Sequence, residues 1–287
     1  MIDIYAQSKD DSHRLAALAN VAMFNEEGTT HCVSASPHLA HPMVRDLYTT
    51  LVIRTFNIAK KHASMPRVLD LGAGEGSATL PFLELGAHVT AVDISESQLT
   101  VLARKCGQFA SRLRIYREDI NQILECNEER YDIVVMNSFL HHIPDYLAVV
   151  QKSIAILQPN GLIFTFQDPL RYDTLGKGSL YFTMGGYFFW RLFQGNYLQG
   201  LRTRIRRLRG IYVPGSKEDD GEYHVTRNGV DQDAIAQLLA SESFTSAIIR
   251  YFSAQSSIFQ RLGFFFGIEN TFAIIAQRAS GESGVST

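Results

Sequence analysis

Three glycines, a few carboxylates and an adjacent histidine pair are the residues whose types and spacing could do chemistry. Asp70-Leu71-Gly72-Ala73-Gly74-Glu75-Gly76 follows a short apolar run and opens a helical pattern. Glycines at such a junction permit a tight turn and let a ligand approach the backbone closely. Asp93 ends the next apolar run, where a carboxylate can accept both hydroxyls of a ribose. A dinucleotide fingerprint would place its third glycine at position 77, but Ser77 stands there. Asp70, just before the loop, would repel a pyrophosphate and could serve a cationic amino-acid moiety. The pattern therefore favours a cofactor without phosphates. His141-His142 follows a later apolar run, and Tyr223, His224 and Arg227 cluster further on. A histidine near an acceptor can take a proton at neutral pH.

These residues need elements to position them. Apolar runs at 67–71, 88–92, 113–116, 131–137 and 162–166 predict five strands. Helical patterns fall between them, at 77–85 with Gly86 as C-cap, at 95–107 with Ser95 as N-cap, and at 146–157 before Pro159. A further helix is predicted over 46–60. Strands and helices alternating at this spacing predict a parallel sheet covered on both faces. The rhythm breaks after Pro169: 170–223 is rich in aromatics and glycine, then arginine, before a helix at 231–240 and strands at 247–252 and 271–277. The predicted organisation is an N-terminal lid segment (1–45), a core (46–169 and 226–279), an inserted cap (170–225) and a disordered tail (280–287). Asp132 is read as stabilising the start of the fourth strand.

The bulk properties bound the function. Hydrophobic residues make up 46% and charged residues 20% of the 287, an ordinary globular balance. A net charge of -2 gives no chain-wide attraction to nucleic acid, so no nucleic-acid partner is expected. Cys32, Cys106 and Cys126 fit neither a zinc ribbon nor a redox pair and suit a reducing cytosol. No secretory apolar region and no spanning apolar stretch are read, so a cytoplasmic location is expected. The histidines His31, His38 and His41 have no metal-ligand spacing, and no metal is expected.

The run Val68-Leu69-Asp70-Leu71-Gly72-Ala73-Gly74-Glu75-Gly76 resembles the first motif of class I S-adenosylmethionine-dependent methyltransferases. Ala91-Val92-Asp93-Ile94-Ser95 resembles their second motif, and Glu118-Asp119-Ile120 the acidic site after strand three. Tyr131 to Asp145 is similar to the fourth motif in the subgroup carrying His-His after strand four, and Leu157 to Gly161 to the turn that follows. The five parts occur in the family's order across roughly a third of the chain. The resemblance implies a doubly wound α/β fold, Rossmann-like, with a seven-stranded, mostly parallel sheet whose antiparallel final strand is 271–277. It implies S-adenosylmethionine as cofactor and S-adenosylhomocysteine as product. It also implies that Gly72, Gly74 and Gly76 admit the methionine and ribose portions and that Asp93 holds the ribose. Ile94 would pack on the adenine, Asp119 and Ile120 would flank it, and Asn137 would face the acceptor.

For His141 and His142, general-base roles stand beside plainer ones as structural histidines; His224, a third catalytic candidate, can line an acceptor pocket with Tyr223 and Arg227 or sit in an exposed loop entering a strand. Methyl transfer to a good nucleophile needs alignment more than a base. The aromatic run Tyr181–Phe193 and the arginines Arg202, Arg204, Arg206, Arg207 and Arg209 can be read as a lid for a greasy or anionic acceptor, or as a membrane-surface contact. They can equally be a helical cap with solvated arginines. The expected function is methyl transfer to an oxygen or nitrogen of a small metabolite, sugar or lipid-like acceptor. A nicotinamide-dependent oxidoreductase and a non-catalytic interaction protein on the same fold are the alternatives.

Overall fold

The structure is a computed structural model, and it describes residues 2–26, 36–126, 128–192, 203, 206, 209, 211–216, 219–221 and 223–279. The predicted disordered tail at 280–287 lies outside them, as do His31, Cys32, Phe193, Arg202, Arg204 and Arg207. In chain order the elements are α1 (Ile2–Glu26), α2 (Pro37–Ala40), α3 (Pro42–Ala59), β1 (Arg67–Leu71), α4 (Thr79–Leu85), β2 (His88–Asp93), α5 (Glu96–Lys105), β3 (Leu113–Arg117), α6 (Ile120–Cys126), β4 (Tyr131–Asn137), α7 (Tyr146–Ala155), β5 (Leu157–Pro169), α8 (Lys177–Leu192), α9 (Gln232–Ser241), β6 (Phe244–Tyr251), α10 (Ser257–Phe265) and β7 (Thr271–Arg278).

The seven strands form one sheet in the order β3-β2-β1-β4-β5-β7-β6. Pairings from β3 through β5 are parallel, and β7 runs antiparallel between β5 and β6. Ile133, Val134, Val135 and Met136 in central β4 are fully buried, each worth about 1.5–3 kcal/mol of apolar burial. Their alternation feeds two cores. One face packs α6, α7 and α9 through Ile120, Val150 and Ile235; the other packs α3, α4 and α5 through Phe56, Phe82 and Leu102. The chain order reverses direction at β1 and β4, and crevices at the carboxyl ends of such strands are where open α/β sheets bind ligands.

Local chemistry explains the boundaries. Pro42 starts α3, whose buried Tyr48, Leu51, Val52, Thr55, Phe56 and Ala59 recur at helical spacing. Gly86 ends α4 in the left-handed conformation, and the Ser95 side chain caps α5 by accepting from Gln98 N–H. Asp132 accepts a 2.7 Å hydrogen bond from the Arg67 backbone N–H, tying the starts of β4 and β1 together.

Three readings are corrected. The polar N-terminal stretch is the helix α1, and α10 was not foreseen at all. Strand β5 is 13 residues long because it begins at Leu157 and continues past Phe166 to Pro169. A bulge interrupts its pairing with β7 between Phe166 and Asp168, with Gln167 at φ 68°. That bulge re-aims the chain at the site described next.

Candidate cofactor and acceptor site

A cavity opens at the carboxyl ends of β1, β2 and β4. Its floor is the glycine loop (Gly72, Ala73, Gly74, Glu75, Ser77); one wall carries Asp93, Ile94 and Gln98, another Glu118, Asp119 and Ile120. Asn137, Ser138, Phe139, His142, Ile143 and Pro144 form the far end, and His13, Ala16, Ala17, Asn20 and Phe24 of α1 cover it. The open volume, mouth included, is ≈ 1140 Å³, room enough for a drug-sized ligand.

Of the four carboxylates that line the cavity, Asp93 and Asp119 are held differently. Asp93 accepts from Gly74 N–H and Ser95 N–H, each at 2.8 Å, so each oxygen keeps a further lone pair. Burial raises its pKa, and those backbone hydrogen bonds oppose the rise. Asp119 lies 3.2 Å from His13 Nε2 and accepts from Asn121 N–H at 2.8 Å. The hydrogen bond from His13 is the main reason its pKa is lowered.

The glycines of the loop have separate jobs. Gly72 has φ +71°, and a Cβ there would sit 2.2 Å from the Phe139 ring. Gly74 has φ +51° and would meet only Gln98 Oε1, at 3.8 Å. Gly72→Ala should therefore destabilise the fold by about 2–4 kcal/mol, from backbone strain plus overpacking. Gly74→Ala should cost only about 1–2 kcal/mol yet impair ligand binding, because its methyl group enters the cavity. Urea midpoints and ligand titration of the two variants separate these effects; equal stability losses would refute the distinction.

Four expected site residues do not line this cavity, and their roles are corrected. Gly76, at φ +88°, is buried against Leu102 and Cys106 and serves the packing of α5 on the loop. Asp70 is buried in β1 and accepts a 2.6 Å hydrogen bond from the Thr79 hydroxyl, leaving its Oδ1 without a partner. His141 is buried with Nδ1 2.8 Å from Asp168 Oδ1, which also accepts from the His141 backbone N–H. His224 turns Nε2 onto the carbonyls of Ile143 and Pro144, and its own N–H donates to the His141 carbonyl at 2.7 Å. These hydrogen bonds hold the loop that carries His142.

Of His141, His142 and His224, it is His142 that reaches the cavity. Its Nδ1 contacts the Gly221 carbonyl, so Nδ1 carries the proton and Nε2 is left as an acceptor. Burial pushes its pKa down to about 3, and that of His141 likewise, so both are neutral at physiological pH. Asp168 is raised to about 7 by burial. We read His141 and Asp168 as sharing one proton across their hydrogen bond.

Burial also lifts Asp70 to about 7 from an ordinary 3.8. A group raised in this way contributes stability that is complete below 3.8 and is lost as pH rises through 7. Asp70→Asn should remove that loss, so its urea midpoint should gain on the wild type by the equivalent of about 2–4 kcal/mol once pH passes neutrality. Parallel stability–pH curves would show that Asp70 is ionised at no cost.

Residues the sequence reading missed come mostly from α1: His13, Asn20 and Phe24 fall on one helical face. The spacing was visible, but the stripe is built on Ala16, Ala17 and Asn20, too weakly apolar to stand out. Phe139 lay inside a quoted motif, yet only its contact with Gly72 shows why an aromatic ring is there.

A family model described as a methyltransferase domain matches residues 69–163. That stretch holds the glycine loop, Asp93, Asp119, Asn137 and His142. The similarity is to a methyltransferase domain, and it covers about a third of the chain. The relatives of this methyltransferase domain include the ubiquinone biosynthesis O-methyltransferase of Actinobacillus pleuropneumoniae, 31% identical over 103 residues that cover 34% of this chain and 44% of that one. The enzyme of the same description from Vibrio cholerae is 31% identical over 98 residues, 34% of this chain and 40% of that one. The match thus spans less than half the length of these relatives. Among solved structures, magnesium protoporphyrin IX methyltransferase from Synechocystis with bound SAH superposes with a TM-score of 0.56 over 94% of this chain and all (100%) of that one, at 16% identity. The N-methyltransferase NodS from Bradyrhizobium japonicum gives 0.51 over 90% and 98%, at 13% identity. The fold around the methyltransferase domain is therefore the Rossmann-like methyltransferase fold, with β7 as its antiparallel strand.

Proposed function

We propose that this protein transfers the methyl group of S-adenosylmethionine to an oxygen or nitrogen of a small-molecule acceptor. The observation that carries this reading is the charge and hydrogen-bonding character of the cavity. Glu75, Asp93, Glu118 and Asp119 line it, and no lysine or arginine does among the described residues. Its buried atoms without partners include Asn20 Oδ1, Glu75 Oε1 and Asn137 Oδ1, which all accept hydrogen bonds. Such a lining suits a ligand that is cationic and rich in donors: an ammonium group, a sulfonium, ribose hydroxyls and an adenine amino group. It is hostile to a pyrophosphate, which speaks against the nicotinamide alternative.

In this reading Asp93 accepts from the ribose hydroxyls, Asp119 and Ile94 and Ile120 hold the adenine, and Gly72, Gly74 and Asn137 border the methionine portion. S-adenosylmethionine supplies an electrophilic methyl group on a sulfonium. The chain supplies alignment and dryness. Phe139, Ile143 and Pro144 exclude water around His142, and α1 closes the cavity from above. With so low a pKa, His142 serves through Nε2 as a hydrogen-bond acceptor that orients an acceptor O–H or N–H. Ser138, at φ 54°, is a non-glycine residue in left-handed backbone on the same wall; the 2.6 Å hydrogen bond from its N–H to the Phe166 carbonyl holds it there.

Calorimetric titration of the full chain with S-adenosylmethionine tests the reading. Saturable binding that NAD does not displace, followed by release of S-adenosylhomocysteine on screening acceptors, is expected. Absence of binding, or tighter binding of NAD, would leave only the fold standing.

A further inference from the structure

Helices α8 and α10 both leave the sheet at its carboxyl edge, the edge on which the cavity opens, α8 after β5 and α10 after β6. They pack on each other with little space. A Cβ on Gly186 would lie 2.9 Å from the Phe259 ring, and one on Gly263 would lie 2.2 Å from the ring of Phe252. Phe182 adds ring contacts to Phe252 and Phe259 at 5.6 and 5.2 Å. The inward needs of both helices are thus met by glycines and the rings of Phe182, Phe189, Phe252 and Phe259, yet their outer faces are also aromatic. Phe265 is 80% exposed, Phe264 65%, Phe266 62% and Ile258 59%. On α8, Tyr181 and Phe188 are exposed as well. Monomeric soluble proteins rarely leave so many large apolar side chains together in water without a partner.

The two helices themselves carry charges of one sign, Lys177 and Arg191 on α8 and Arg261 on α10. From Thr174 to Lys217 the chain carries eight basic residues and no acidic one, in a protein whose net charge is -2. Between Ser253 and Ile268 the single charged residue is Arg261, which is exposed. Lys177 at the start of α8 and Arg209 are exposed too. No helix among the described residues is long and apolar enough to cross a membrane. Exposed aromatics on two helices whose own charges are all basic, with one exposed carboxylate, Glu269, beyond α10, are the composition of a segment that lies in a lipid interface and is drawn there by anionic headgroups.

We propose that the outer face of α8 and α10 docks on an anionic membrane surface, inserting Phe264, Phe265 and Ile258 at the headgroup boundary. The proposal does not rest on the methyl-transfer reading, since it concerns a face outside the cavity. If both hold, the cavity mouth and the lipid surface lie toward the same edge of the sheet, and an apolar acceptor need not pass through water.

The test uses the full chain with vesicles of phosphatidylcholine alone and of phosphatidylcholine mixed with phosphatidylglycerol. Trp190 on α8 is the protein's sole tryptophan, so its emission reports on this face directly. The chain should float with the anionic vesicles, with a blue shift of Trp190 emission, and should remain behind with the neutral ones. High salt should release it. Replacing both Phe264→Ser and Phe265→Ser should weaken partitioning by at least about tenfold, while S-adenosylmethionine titration and the far-ultraviolet circular dichroism stay as in the wild type. No flotation with anionic vesicles, or equal flotation of the double variant, would overturn the proposal. So would a dimer that the same substitutions abolish in the absence of any vesicle binding, because the face would then belong to a second copy of the chain.

Discussion

Asp93→Ala should weaken S-adenosylmethionine binding by at least about a hundredfold, because hydrogen bonds to a charged group are worth about 1.5–3 kcal/mol each and a ribose offers two. The loss has a second source. Each Asp93 oxygen also holds a backbone N–H, of Gly74 and of Ser95, so its removal loosens the glycine loop and the entry to α5 together. Asp93→Asn separates the two contributions: its amide can keep one acceptor on the loop but cannot accept from both hydroxyls. An ordering of wild type, then asparagine, then alanine in calorimetric affinity is expected, with urea midpoints falling little. Wild-type affinity in the alanine variant would remove the ribose role and with it the assignment of the cavity.

The largest loss of stability should come from Asp168→Ala, at about 2–6 kcal/mol, about 1–3 for each buried donor left unpaired. Asp168 is fully buried, and its Oδ1 alone satisfies both the Nδ1–H and the backbone N–H of His141. With alanine, two donors lose the acceptor they share, at a position that is fully buried. For a chain of this size the loss corresponds to a fall in melting temperature of roughly 10 °C. Asp168→Asn keeps an oxygen for the same donors and should recover most of it. The His141 carbonyl also holds His224, so the loop bearing His142 should loosen in the alanine variant, and ligand affinity should fall with stability. Unchanged melting of Asp168→Ala would show that the pair is incidental.

The strands β1, β2 and β4 were legible because buried parallel strands are continuous apolar runs whose ends are marked by glycine or a carboxylate. Gly86 and Ser95 marked helix ends for equally local reasons. The antiparallel setting of the last strand was supplied by family likeness, while the order of the sheet came from the structure. Helix α1 escaped notice since its buried face is alanine and asparagine, which periodicity of hydrophobicity does not register. Helix α10 was missed because Phe264-Phe265-Phe266 places aromatics on every side and obscures the helical stripe.

By itself the sequence determined the chemistry on offer: a flexible loop of glycines, a carboxylate one strand away, and two neighbouring histidines. These depend on residues close in the chain and on backbone freedoms that no distant contact alters. Only the tertiary structure decided which of them act on a ligand. His141 and His142 are adjacent, but the bulge at Gln167 turns Asp168 toward the first, and the Gly221 carbonyl accepts a hydrogen bond from the second. Gly72, Gly74 and Gly76 alternate identically in the sequence, yet they face Phe139, open space and Leu102 in turn. Asp70 is retained by Thr79, whereas Asp93 lines the cavity. Each of these choices rests on a partner many residues away, brought close by packing that no local pattern encodes.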